Sequence, residues 1–67
     1  MKVTLNGQAR EFEEESLALP AMIELVGLGQ QPVLVELNGA ALLAREFSET
    51  VIHDGDRIEL IRMVAGG

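Results

Sequence analysis

The sequence has 67 residues, no Cys, a single His, and 11 Asp+Glu against 5 Lys+Arg, for a formal net charge of −6. That length admits one small domain, and with no Cys and one His neither disulfides nor a structural zinc can staple it. The acidic balance excludes a phosphate-backbone binder, which needs clustered Lys and Arg; it suits attraction to a basic protein surface.

The chain opens with Met1, Val3 and Leu5 alternating with Lys2 and Thr4, the period of a half-buried strand. Asn6-Gly7 marks a tight hairpin turn, since both residues tolerate positive φ, and the return strand covers residues 9–12. After Glu13-Glu14-Glu15, Ser16 reads as a helix start. Pro20 is tolerated only in the first turn, so the regular helix begins near Leu19 or Pro20. Met22, Leu25 and Val26 have the spacing of a buried stripe, and Gly27 or Gly29 supplies the C-cap.

Residues 33–37, Val-Leu-Val-Glu-Leu, form a strand whose near-continuous apolarity predicts a central position. Asn38-Gly39 is a second turn, and residues 40–43 a short edge strand. Irregular chain follows over 44–49, with Phe47 plugging the core. Asp54-Gly55-Asp56 builds a turn that launches the last strand, residues 57–63. The order β-β-α-β-β-β, with the first strand pairing in parallel with the last, is an α+β roll: a mixed sheet of four to five strands wrapping one helix. The expected core is Val3, Leu5, Met22, Leu25, Val35, Leu37, Phe47, Ile58 and Leu60. Residues 1–63 form the domain, and 64–67 a flexible tail ending in Gly66-Gly67.

Little in the body of the chain suggests catalysis. His53 lacks a Ser or Cys partner at motif spacing and reads as a turn-supporting residue. Asp54-Gly55-Asp56 is too short for a calcium loop, and Glu13-Glu14-Glu15 is a solvated run. No segment reads as a signal peptide or approaches the ~20 apolar residues of a membrane span, so a cytoplasmic location is expected. What remains is the tail. Two glycines without side chains let a terminal carboxylate enter a slot too narrow for other residues.

Three motifs in order, Val35-Glu-Leu-Asn-Gly39, Val51-Ile-His-Asp-Gly-Asp-Arg-Ile-Glu-Leu60 and Val64-Ala-Gly-Gly67, together with Arg45, resemble the ThiS-type sulfur carrier proteins of thiamine biosynthesis over essentially the whole chain. The resemblance implies the ubiquitin-like β-grasp fold, in agreement with the roll read from the residues. It also implies a protein co-substrate and not an enzyme, with no cofactor of its own. An E1-like, ThiF-like adenylyltransferase would use ATP to convert the Gly67 carboxylate to an acyl-adenylate. Sulfur from a sulfurtransferase persulfide would replace AMP, and the thiocarboxylate would serve a ThiG-like thiazole synthase. The carry-over rests on Gly66 and Gly67.

The small subunit of molybdopterin synthase shares this fold and ending but is longer, richer in aromatics and Pro-rich before the tail. Carriers for cysteine or other sulfur metabolites, a ubiquitin-like modifier of lysines and a β-grasp binding module are the other readings. A docking surface is also expected. If Ile58 and Leu60 face inward, Ile61 and Met63 lie on the opposite face, and Leu34 on the matching face of its own strand. These three form an apolar patch rimmed by acidic residues, to be covered in turn by the adenylyltransferase and the sulfur acceptor.

Overall fold

The computed structural model describes residues 1–64. Its elements in chain order are β1 (Lys2–Leu5), β2 (Gln8–Glu11), β3 (Ser16–Ala18), α1 (Leu19–Leu25), β4 (Val33–Leu37), β5 (Ala40–Leu42), a 3-10 helix (Ala44–Glu49), β6 (Val51–His53) and β7 (Arg57–Arg62).

The two Asn-Gly turns set the register of the sheet. Asn6 and Gly7 sit at φ 50° and 79°, and Asn38 and Gly39 at 51° and 87°. Positive φ at both central residues is the hairpin geometry whose twist matches that of the flanking strands. Each turn therefore pairs its flanking residues directly, Leu5 with Gln8 and Leu37 with Ala40. β7 then enters between the two hairpins, parallel to β1 and antiparallel to β4, giving the order β2-β1-β7-β4-β5. The last strand of the chain is thus the middle strand of the sheet.

Alternation along β1, β4 and β7 sends Val3, Leu5, Val33, Val35, Ile58 and Leu60 to one face, where they join Leu19, Met22 and Ile23 of α1 and Ile52 of β6 in one buried cluster. Leu37 and Phe47 pack against that cluster from its margin, only partly buried. α1 starts at Leu19 with Pro in its first turn, where a missing N–H costs nothing. It ends on Gly27 at φ 84°. There the N–H of Leu28 donates to the Ile23 carbonyl and that of Gly27 to the Glu24 carbonyl, 3.0 Å each, a Schellman closure.

Two expectations fail here. Ser16 does not start the helix: with Leu17 and Ala18 it forms β3, paired antiparallel with β6 in a second, two-stranded sheet. Leu19 N–H donates to the Thr50 carbonyl at 2.9 Å, carrying that pairing into the first residue of the helix. Leu25 is 59% exposed, because the buried stripe is centred on Leu19, Met22 and Ile23 and leaves Leu25 on its flank, turned to solvent. Among the described residues no helix is long and apolar enough to cross a membrane.

Candidate functional site

β7 is gripped at both ends by the turn asparagines. At its start, Arg57 N–H donates to Asn38 Oδ1 and Asn38 N–H to the Arg57 carbonyl, both at 2.8 Å. Asn38 Nδ2 reaches Asp56 Oδ1 at 3.0 Å. Near its end, Leu60 N–H donates to Asn6 Oδ1 at 2.8 Å and Asn6 Nδ2 donates to the Leu60 carbonyl at 3.2 Å. The Asn6 carboxamide thus occupies the place of the next peptide unit of β1, which has already turned away. One residue past β7, Met63 N–H donates to the Pro32 carbonyl at 2.9 Å. Val64 follows, 76% exposed.

The Asp54-Gly55-Asp56 segment serves as a turn. Asp54 Oδ1 accepts from Lys2 N–H at 2.7 Å, and Asp56 Oδ2 from the backbone N–H of His53 at 2.8 Å. Gly55, at φ 88°, donates its N–H to the Lys2 carbonyl at 2.8 Å. Among the described residues no group of three or more His, Asp or Glu is placed to hold a metal.

The outer face of the sheet carries the feature of interest. Leu34 of β4 and Ile61 of β7 stand directly opposite one another, 53% and 49% exposed. Two half-exposed aliphatic side chains therefore face one another across β4 and β7 at the end of the sheet from which the chain leaves, with the exposed Leu43 just past the end of β5. Burial of these side chains would be favoured at roughly 25 cal/mol per Å² of apolar surface. The next same-face row is Ala41, Glu36 and Glu59, with the two glutamates directly paired across β4 and β7.

Of the three expected patch residues, Leu34 and Ile61 come together. Met63 does not continue the face in the expected way. It lies beyond the paired part of β7 and lines an open groove of about 350 Å³ with Pro20, Ile23, Pro32, Val33 and Phe47. The paired register ends with Val33 opposite Arg62, and beyond it only the single bond from Met63 N–H to the Pro32 carbonyl ties the two chains together. Leu43, exposed and one residue past β5, was not singled out in the sequence. Gly66 and Gly67, the expected site of modification, lie outside the described residues.

Residues 3–67 match the family model described as the ThiS family. The chain is 34% identical over 65 residues to a sulfur carrier protein ThiS of Thermus thermophilus, an alignment spanning 97% of this chain and 98% of the relative. It is 28% identical over 67 residues to a thiazole synthase of Paramagnetospirillum magneticum; there all of this chain matches 20% of the relative's length. The structure matches the crystal structure of a thiamine biosynthesis protein (ThiS) from Geobacter metallireducens with a TM-score of 0.87 and 33% identity, over 100% of both chains. The sheet wrapped on one helix is accordingly the β-grasp fold.

Proposed function

The chain belongs to the ThiS family, whose members are small sulfur carriers of thiamine biosynthesis, and from that premise we propose that its sulfur travels as a thiocarboxylate on Gly67. A carboxylate is a poor acyl donor until one oxygen becomes a good leaving group. An E1-like adenylyltransferase would supply this by transferring AMP from ATP to the Gly67 carboxylate, releasing pyrophosphate. The outer sulfur of a sulfurtransferase persulfide then attacks the acyl carbon and displaces AMP to give an acyl disulfide. A thiol reductant cleaves its S–S bond, leaving a disulfide with the sulfurtransferase sulfur and freeing the thiocarboxylate, which is presented to thiazole synthase as acceptor. ATP is the activating partner's substrate, and the carrier contributes recognition and reach.

The observation that carries this reading is where the chain leaves the fold: from the central strand, past an exposed aliphatic row, into Val64-Ala-Gly-Gly67. Four residues span at most about 14 Å. A partner whose active site receives Gly67 must therefore sit against the same end of the sheet, which supports Leu34 and Ile61 as shared docking residues with Met63 beside them. A thiazole synthase that holds in its own chain a segment similar to all of this one supports thiazole synthase as the acceptor.

Intact-mass measurement tests the reading. Incubation with ATP, a sulfur source and the cognate adenylyltransferase should raise the mass by about 16 Da, sulfur for oxygen on an activated acyl group. Deleting Gly67 should abolish the gain and leave the folded state intact. An unchanged mass with an active cognate enzyme refutes it.

A further inference from the structure

We propose that the groove on the helix side of β7 receives an aromatic side chain of thiazole synthase, with a basic group of that enzyme set on Glu24. The inference rests on the carrier reading above and concerns the opposite side of β7 from Leu34 and Ile61.

The groove is a place where the fold does not close over its own core. α1 supplies Ile23 and Glu24, the 3-10 helix supplies Ala44 and Phe47, and Pro32 and Met63 form the wall where the chain leaves. Ile23 and Val33, both in the lining, are the most exposed members of the buried cluster, at 7% and 9%. Phe47 is only partly buried and Met63 is 43% exposed. The hollow measures about 350 Å³, enough for one ring and at the lower end of ligand-sized sites.

The length of the chain end determines what lies over it. Met63 N–H is bonded to the Pro32 carbonyl at 2.9 Å, so one wall of the groove is also the root of the chain end. Val64 to Gly67 is four residues, at most about 14 Å of chain. An interface of ordinary size takes about 800 Å² of each partner, a disc of about 16 Å radius. An enzyme that closes on Gly67 with such a footprint reaches the groove. Thiazole synthase is the occupant because a relative of that name holds a segment similar to all of this chain. A second copy of this chain is a poor occupant, since it brings one −6 molecule onto another.

The walls select the chemistry. Proline rings, the Phe47 ring and the Met63 thioether present flat, polarisable surface, which suits an aromatic side chain. Among the lining residues Glu24 alone is ionisable. Its carboxylate lies over Gly29, where a Cβ would meet it, although the φ of Gly29 is not in the positive region that calls for glycine. Glycine here supplies the space in which that carboxylate sits. A charge held at the rim of an apolar hollow is complementary to a basic group beside the inserted ring.

The test measures binding of three variants to the cognate thiazole synthase by calorimetry. Ala44→Phe fills the groove from an exposed position and should bind at least about tenfold more weakly, with a melting temperature within about 2 °C of the parent. Glu24→Gln keeps shape and removes charge; it should bind about threefold more weakly at about 50 mM salt and show a flatter salt dependence. Gly29→Ala leaves net charge unchanged and displaces only the flexible end of Glu24, so it should reproduce the Glu24→Gln loss in a folded protein. Binding within about twofold of the parent by a folded Ala44→Phe overturns the inference. Should Ala44→Phe not fold, parent-like binding by both other variants overturns it. A parent dimer in sedimentation that Ala44→Phe abolishes overturns it in favour of self-association. If the parent gains sulfur mass and binds the synthase while the variants bind equally well, the groove contact falls and the carrier reading stands. If the parent neither gains mass nor binds, both fall.

Discussion

Replacing Asn6 by Ala should cost this domain about 2–4 kcal/mol, a sum that follows from two separable roles. The first is the pair of hydrogen bonds from the carboxamide to the N–H and C=O of Leu60, at 2.8 and 3.2 Å. Each is worth about 1 kcal/mol net, and Leu60 is only 4% exposed, so water is a poor substitute. The second role is conformational. Asn6 holds φ at 50°, a region that Ala enters at a cost of about 1–2 kcal/mol and Asn enters more readily.

Asn6→Gly separates the two. It removes the hydrogen bonds and relaxes the backbone, so it should cost about 1–2 kcal/mol, less than Asn6→Ala. Total stability of a domain of this size is roughly 3–10 kcal/mol, so the alanine variant should have a visibly lower urea midpoint. Circular dichroism in urea at 25 °C measures both variants. Amide exchange at Leu60 reports whether the loss is felt at the strand itself. An Asn6→Gly variant as stable as the parent would show that the carboxamide contributes nothing. The reasoning about the clasp would then be wrong, and only the turn geometry would remain.

The helix phase gives a paired test: Met22→Ala should cost about 2–5 kcal/mol and Leu25→Ala less than about 0.5 in the same urea titration, because the first is fully buried and the second is turned outward. Leu60→Ala belongs with Met22→Ala, at about 2–5 kcal/mol, and a value below about 0.5 would put the wrong face of β7 in the core. Ile61→Asp should stay folded, as read by its far-UV spectrum, yet bind both the adenylyltransferase and thiazole synthase about tenfold or more weakly; undiminished binding would move the interface off this end of the sheet.

Much of this architecture is legible in the residues. Asn6-Gly7 and Asn38-Gly39 announce two-residue hairpins, and the alternation of Val3 with Leu5, Val33 with Val35 and Ile58 with Leu60 names the buried face of each long strand. The parallel pairing of first and last strands follows from burying both against one helix. β3 and β6 were not legible because three residues are too few to show a period. Ile52 is the one fully buried residue of the six, and Ser16 resembles a helix cap. The helix phase was ambiguous for the opposite reason: Leu19, Met22, Ile23, Leu25 and Val26 offer more than one apolar stripe, and the tertiary partner decides between them. The outward row was half legible. Parity gave Leu34 and Ile61, but the departure of Met63 depends on where pairing stops, which no local pattern marks. The grip of Asn6 on Leu60 joins residues 54 positions apart and has no local signature.

The placement of β7 connects these features to a carrier's task. In the proposed mechanism, a chain end handed between enzymes needs a fixed point behind it. An edge strand would make a poor fixed point, because force on the end could peel it away with the loss of one ladder. β7 has ladders on both sides, a side-chain clasp near each end, and Ile58 and Leu60 seated in the core at 0% and 4% exposure. Opening it therefore disrupts the domain as a whole, so its local opening free energy approaches the global stability. The same position brings Ile61 next to β4, so the strand that leads to the chain end also supplies half of the proposed docking face. In the proposed mechanism recognition and delivery then rest on one element, since a partner docked on Ile61 would already fix where Val64 begins.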